Sequence, residues 1–177
     1  MITKVFYKND NLIIRSMLLS DVDVIFNEYL ACNWHPNRDI YQSYFDKQEA
    51  RTLYVISAEY EGNFVGYATL HPVCDDGPFA GYPVIVDFCV FNNYRNKGIG
   101  SKILDVAEEI AATLSDKVSL SVGVHSGYGA AQRMYIKRGY IPDGSGVWYN
   151  DLQLEQYADC KNDDNLVLFL SKDLRPN

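Results

Sequence analysis

The sequence is short of several features that would point to particular chemistries. Its four cysteines, Cys32, Cys74, Cys89 and Cys160, are scattered and form no CxxC pair. That spacing argues against a zinc site or a disulfide framework and fits a reducing compartment. Basic residues number 16 against 23 acidic ones, a formal charge of −7. A surface of that sign disfavours nucleic acid and anionic membranes and favours cationic partners. No apolar run reaches the ~18–20 residues of a membrane span. The opening MITKVFYKND also lacks the apolar stretch of a secretory signal. The expectations are a cytosolic location with no membrane, no nucleic acid and no metal. Internal repeats and low-complexity tracts are missing as well. At 177 residues, one domain over 1–177 is expected, large enough to bury a core without a metal or disulfide staple.

Tyrosine, by contrast, is abundant, at 14 residues. So many tyrosines suit either a lined groove or ordinary half-buried strand positions. Leu12–Arg15 reads as a first strand. Ser20 followed by Asp23 resembles a capping box, and Val22, Ile25, Phe26, Tyr29 and Leu30 then recur at helical spacing. Trp34-His35-Pro36 breaks that helix, and a second is expected over about 40–50. Strands at 53–59 and 64–71 flank Glu61-Gly62-Asn63, the chemistry of a hairpin turn. The stretch 73–83, with two Gly and two Pro, is a loop, and 84–90 is an apolar strand interrupted by Asp87. An amphipathic helix over 98–114, an alternating strand over 118–124 and a short helix over 129–137 follow. The polar, Gly- and Asp-rich stretch 143–165 reads as an insertion-like loop, and Leu166–Leu170 as a closing strand. The order βααβββαβαβ predicts an α/β or α+β fold, a mixed sheet with helices on both faces.

The most informative residues are Val90-Phe91-Asn92-Asn93-Tyr94-Arg95-Asn96-Lys97-Gly98-Ile99-Gly100-Ser101. A strand ends, and a helix begins at two glycines separated by one residue. Main-chain N–H groups at a helix start have no intrahelical partner and carry partial positive charge. Glycine there lets an anion approach the backbone closely, and Arg95 and Lys97 add formal charge. A pyrophosphate is the natural ligand. The Gly-Lys-Ser/Thr of a Walker loop is missing, as is the three-glycine pattern of a dinucleotide fold. A helix start whose glycines only permit tight packing is the plain alternative.

Arg95–Gly100 resembles the R/Q-x-x-G-x-G/A acetyl-CoA motif of the GNAT (Gcn5-related N-acetyltransferase) superfamily. Downstream, Ala131-Gln132-Arg133-Met134-Tyr135-Ile136-Lys137-Arg138-Gly139-Tyr140 is similar to that family's A-x-x-x-Y-x-x-x-G-F/Y helix. The resemblance implies a mixed, mostly antiparallel sheet with a splayed pair of parallel strands, and acetyl-CoA as co-substrate. Phe88, Cys89 and Val90 would pair with the pantetheine. Main-chain amides of Arg95, Asn96, Lys97, Gly98, Ile99, Gly100 and Ser101 would hold the diphosphate, with Tyr128 and Ala131 also against the cofactor. The side chains of Asn96 and Ile99 should then matter little. Tyr128 stands where the family often has Asn, a departure that leaves that contact open.

The implied activity is direct attack of an amine on the thioester, with the Val90 N–H as oxyanion donor and Tyr135 as general acid. Tyr135 also reads as a core tyrosine. Asp87 would bind or deprotonate the amine, or else make a structural ion pair. His125 is the alternative base, or a structural histidine. Nothing places a base beside Cys89 to make it a nucleophile. Trp34, Tyr82, Asp87 and His125 are the candidate acceptor residues, joined by the aromatics and carboxylates of the same segments: His35, Tyr41, Tyr44, Asp75, Asp76, Phe79, Trp148 and Tyr149. Such a set suits a small cationic primary amine. A peptide or protein N-terminus, an aminoglycoside, a longer acyl group such as succinyl, and a non-catalytic acyl-CoA sensor or interaction module are the rival readings. Monomer and homodimer are both open.

Overall fold

The computed structural model describes residues 3–175. Among them are nine strands and four α-helices, a mixed α/β fold whose strand pairs are mostly antiparallel with one parallel pair. The chain divides into two compact units, residues 1–72 with 86–110 and residues 73–85 with 111–177.

The first unit holds β1 (Val5–Lys8), β2 (Leu12–Ser16), α1 (Asp21–Ala31), α2 (Arg38–Glu49), β3 (Tyr54–Tyr60) and β4 (Asn63–His71). It also holds most of β5 (Val84–Val90) and of α3 (Ile99–Ala112). Its strand order is β1-β2-β3-β4-β5. The strand β1 was not expected from sequence; it pairs antiparallel with β2, Val5 opposite Arg15, with a register shift before Tyr7. The β3–β4 hairpin closes through two residues, Glu61 at φ 50° and Gly62 at φ 79°, with Tyr60 opposite Asn63. Two successive positive φ values give the turn whose twist matches antiparallel strands.

Ser20 makes no side-chain cap bond at the start of α1. Asp21 instead ties the helix start to the preceding chain: its carboxylate accepts from the Leu18 N–H at 2.8 Å and from two nitrogens of Arg15 at 2.7 and 3.0 Å. Arg15 also donates to Glu59 at 3.1 Å, so one buried guanidinium fixes β2, β3 and the entry to α1. The cap of α2 is conventional, the Asn37 side chain accepting from the Asp39 N–H at 3.0 Å. Between these helices and the sheet lies a core of Met17, Val22, Ile25, Tyr41, Leu53, Val55 and Tyr67. Tyr29, Tyr44 and Cys89 pack on its margin.

The second unit orders its strands β5-β6-β9-β7-β8. It comprises β6 (Lys117–Gly123), α4 (Gly129–Lys137), β7 (Ile141–Tyr149), β8 (Leu152–Gln153) and β9 (Leu166–Asp173). The stretch expected to be mostly loop from 143 onward therefore carries strand. Its glycines serve a bulge: the β7–β9 register shifts between Pro142 and Val147, where Gly144 and Gly146 have φ of 84° and 83°. Pairing with a strand some twenty residues later supplied the order that the local composition argued against. The Trp148 ring packs edge-on against Phe169, 5.2 Å between centroids.

Candidate active site

The turn after β5 has the geometry of an anion cradle. A short 3-10 turn over Asn92–Tyr94 leads to Arg95, and α3 starts at Ile99 with the Lys102 N–H donating to the Gly98 carbonyl at 3.1 Å. Asn96 and Gly98 have φ of 62° and 78°, with Lys97 between them outside the positive region. Alternation of this kind turns successive N–H groups toward one side and makes a concave site for an anion. Residues 95–98 are exposed, and a side chain on Gly98 would meet nothing within 4 Å, so the concavity is open. Gly100 is different. A Cβ there would come within 3.0 Å of the Phe88 ring, so this glycine lets the helix start lie against β5. Charge is held close: Arg95 Nε donates to the Val90 carbonyl at 3.1 Å, and Lys97 Nζ lies 5.3 Å from the centre of the Tyr60 ring. The donor set and its openness fit a diphosphate. Asn96 and Ile99, expected to matter little, are both constrained: Asn96 by its positive φ and Ile99 by being 1% exposed.

The strand before the turn is kinked. Asp87 has φ 51° in the middle of β5, a conformation that is costly for a non-glycine residue and is typical of functional positions. The kink breaks the alternation of the strand, so that Val86 and Asp87 are both exposed. Asp87 is thus not a carboxylate sealed in an apolar strand. The parallel β5–β6 register comprises Val84 opposite Ser119 and Ile85 opposite Leu120, just ahead of the kink. On the β4 side, a Cβ on Gly66 would fall 2.5 Å from the Cys89 carbonyl oxygen, so only glycine admits that approach.

Around Asp87 the first unit gathers tyrosines from three elements. The Tyr44 hydroxyl, from α2, donates to the Asp87 carboxylate. Tyr29 of α1 and Tyr67 of β4 have their hydroxyl oxygens 3.2 Å apart. Rings follow one another from Tyr29 to Tyr41 at 5.7 Å, Tyr41 to Tyr44 at 6.2 Å, and Tyr44 to Tyr67 at 6.5 Å. Trp34 stacks on Tyr29 at 5.0 Å and 7°. Burial pushes the Tyr29, Tyr44 and Tyr67 hydroxyls well above the ordinary tyrosine value, and the Asp87 charge adds to the rise at Tyr44. They stay protonated donors at any physiological pH. Burial likewise raises the Cys89 thiol, which opposes the thiolate a nucleophile would need. Tyr29 and Tyr67 were not singled out from sequence. Tyr29 read as one position of an apolar helix face and Tyr67 as a strand residue, and no local spacing joins them to Asp87.

The second unit carries the remaining candidates. Tyr135, on α4, is 5% exposed and tilted against Tyr140 at 5.7 Å. Burial, with Tyr128 adding, raises its hydroxyl above the ordinary value, which keeps it a proton donor. Gly123 leaves room for the Tyr128 ring at the end of β6, and Gln132 Nε2 donates to the Gly123 carbonyl at 2.8 Å, setting the start of α4 beside Ala131. His125 is engaged at both ring nitrogens. Nδ1 accepts from the Gly127 N–H at 3.1 Å, and Nε2 lies 3.0 Å from Asp164, which also accepts from the Tyr128 hydroxyl. Those bonds, His125 first, hold the Asp164 carboxyl below its usual range. Tyr82 lies in the 73–83 loop, its carbonyl accepting from the Cys74 N–H at 2.8 Å. Asp75, Asp76, Phe79, Trp148 and Tyr149 belong to this unit too.

The profile of the Acetyltransferase (GNAT) family matches residues 19–140. This chain belongs to the GNAT acetyltransferase family. Its fold is shared by solved acetyltransferases of low sequence identity. One is yncA of Salmonella typhimurium, a candidate acetyltransferase solved with its cofactor acetyl-CoA, at 15% identity and TM-score 0.71, covering 95% of this chain and 96% of that one. An N-acetyltransferase of Staphylococcus aureus Mu50 matches at 17% identity and TM-score 0.70, over 94% of this chain and 100% of that one. The ribosomal-protein-alanine N-acetyltransferase of Brucella melitensis matches at 19% and 0.66, over 90% and 98%. No curated protein matches the sequence. Membership of this family makes the chain an acetyl-CoA-dependent N-acetyltransferase, with acetyl-CoA as co-substrate. Among the described residues no group of three or more His, Cys, Asp or Glu could hold a metal, and no helix is long and apolar enough to cross a membrane.

Proposed function

We propose that this acetyltransferase acts on a small cationic primary amine received at Asp87. One observation carries the reading: a solvent-accessible carboxylate, on a kinked strand, accepts a hydrogen bond from Tyr44 within a cluster of tyrosines. A carboxylate pairs with an ammonium group, and aromatic faces attract cations. Acetyl-CoA supplies the activated acyl group. Amides of the 95–101 turn hold its diphosphate, while main-chain groups of Phe88, Cys89 and Val90 orient the pantetheine. Asp87 binds the incoming ammonium and takes its proton, directly or through water, so that the free amine forms the new N–C bond. The Val90 N–H donates to the carbonyl oxygen as charge develops there. Tyr135 gives a proton to the departing sulfur as the C–S bond breaks. His125, engaged at both nitrogens, serves the 164 region rather than the proton transfer.

A protein N-terminus is the second reading, favoured by the fold shared with a ribosomal-protein-alanine N-acetyltransferase. Thiol release from acetyl-CoA against a panel of mono- and diamines, aminoglycosides, amino acids and an alanine-initial peptide tests both. The proposal expects small cationic amines to lead the panel and Asp87→Asn to remove their turnover. Turnover confined to the peptide would transfer the function to the second reading. Coenzyme A binding with no turnover on any amine would make the protein a sensor.

A further inference from the structure

Trp34 is 62% exposed, yet its ring is fixed, stacked nearly parallel on Tyr29 at 5.0 Å. The Trp34 main-chain N–H donates to the Tyr29 carbonyl at 3.0 Å, which fixes the backbone just past the C-terminus of α1. A helix C-terminus carries partial negative charge, usually offset by a basic side chain. The last turn of α1 has no basic residue. It has an acidic one instead, Glu28, half-buried and within electrostatic range of Cys89, the same thiol that Tyr29 approaches. Two cations of this unit, Arg38 and Arg95, are committed elsewhere. Arg38 donates to Asp23 at 2.7 Å, and Arg95 belongs to the diphosphate turn, where the ligand's own charge would offset it. From this corner the rings of Tyr29, Tyr41 and Tyr44 lead in sequence to Asp87.

An open indole face, a negative helix end and a carboxylate together favour one kind of ligand group, a cation. We propose that Trp34, Tyr29, Glu28 and the C-terminus of α1 form a second ammonium subsite, so that the acceptor is a diamine or polyamine held at both ends. The proposal rests on the reading of Asp87 as the seat of the reacting amine. The second charge then orients the acceptor along the row of tyrosines and brings its other end to Asp87. An uncharged aromatic acceptor would use the ring stack but gain nothing from Glu28 or the helix end.

The test is calorimetric titration of the full chain, with coenzyme A present, by a series of α,ω-diaminoalkanes lengthening from 1,4-diaminobutane and by the n-alkylamine of each length, since the row from Trp34 to Tyr44 takes ring-to-ring steps of 5.0, 5.7 and 6.2 Å. Two equivalent ends give the diamine a statistical advantage of about twofold, and a cation on an aromatic face adds about two- to thirtyfold. The wild-type protein should therefore bind the best-fitting diamine at least about fivefold more tightly than the monoamine of its length. Trp34→Ala and Glu28→Gln should each bring that ratio down toward the statistical value. The glutamine variant guards against misfolding of the alanine one. Equal affinities at every length in the wild type, no diamine binding, or a ratio unmoved by both substitutions would overturn the subsite. Thiol release on the same samples separates the two claims. Preferential binding of the diamine without acetylation would leave the subsite standing and sink the Asp87 reading. Acetylation of diamine and monoamine with equal affinities at every length would do the reverse.

Discussion

The turn over 95–101 and the tyrosines around Asp87 lie in the same compact unit and solve different problems by opposite means. The turn presents main-chain N–H groups, and its specificity lies in φ values at Asn96 and Gly98. The cluster presents hydroxyls and ring faces drawn from α1, α2 and β4 onto a carboxylate of β5. A backbone site tolerates side-chain change wherever the conformation survives. A side-chain site loses its chemistry with one atom. The invariant half of the reaction, the acyl donor, thus falls to the first region and the choice of acceptor to the second.

That contrast is sharpened most by Asp87→Asn, which keeps shape and removes charge. Turnover of the favoured amine should fall about 100- to 10,000-fold, the range of general-base removal. Calorimetric affinity for acetyl-CoA should stay within about twofold, since the turn is backbone-built. Tyr135→Phe comes next, with kcat reduced about 100-fold and acetyl-CoA binding retained. Because burial raises the Tyr135 hydroxyl above its ordinary value, it remains protonated beyond pH ~10. The wild-type rate should then show no loss from this group on raising pH from 7 to 9. Gly98→Val should act on the other region alone. A branched residue at φ 78° is strained, by an amount that translates to about 10- to 30-fold weaker acetyl-CoA binding at little cost to the amine KM. The smallest effect belongs to Asn96→Gly, which preserves the positive φ and should leave acetyl-CoA affinity within about twofold. A large loss there would mean that the Asn96 side chain itself contacts the ligand.

The two regions were unequally legible in the sequence. The turn could be read because its residues are contiguous: a strand, two glycines and an amphipathic helix announce the geometry locally. The limits of β5 and α4 were likewise legible from apolar pattern and flanking turns. The tyrosine cluster was not, because Tyr29, Tyr44, Tyr67 and Asp87 meet only through packing of α1 and α2 on the sheet. The capping of α1 was misread for a related reason. Ser20 had the right residue type but makes no side-chain cap bond, and the neighbouring Asp21 carboxylate is held by Arg15, which is buried beside it and Glu59. The strand β7 was hidden by Gly144 and Gly146, whose composition signals a loop while their place in the fold is a bulge opposite β9.

The account depends on the main-chain amides between Asn96 and Ser101, and amide-resolved NMR titration reports on those atoms directly. With 15N-labelled protein, coenzyme A should shift the N–H resonances of Lys97 through Ser101 more than any others in the turn-bearing unit, and inorganic pyrophosphate should move the same set. Saturable binding of coenzyme A that leaves those resonances in place would contradict the account.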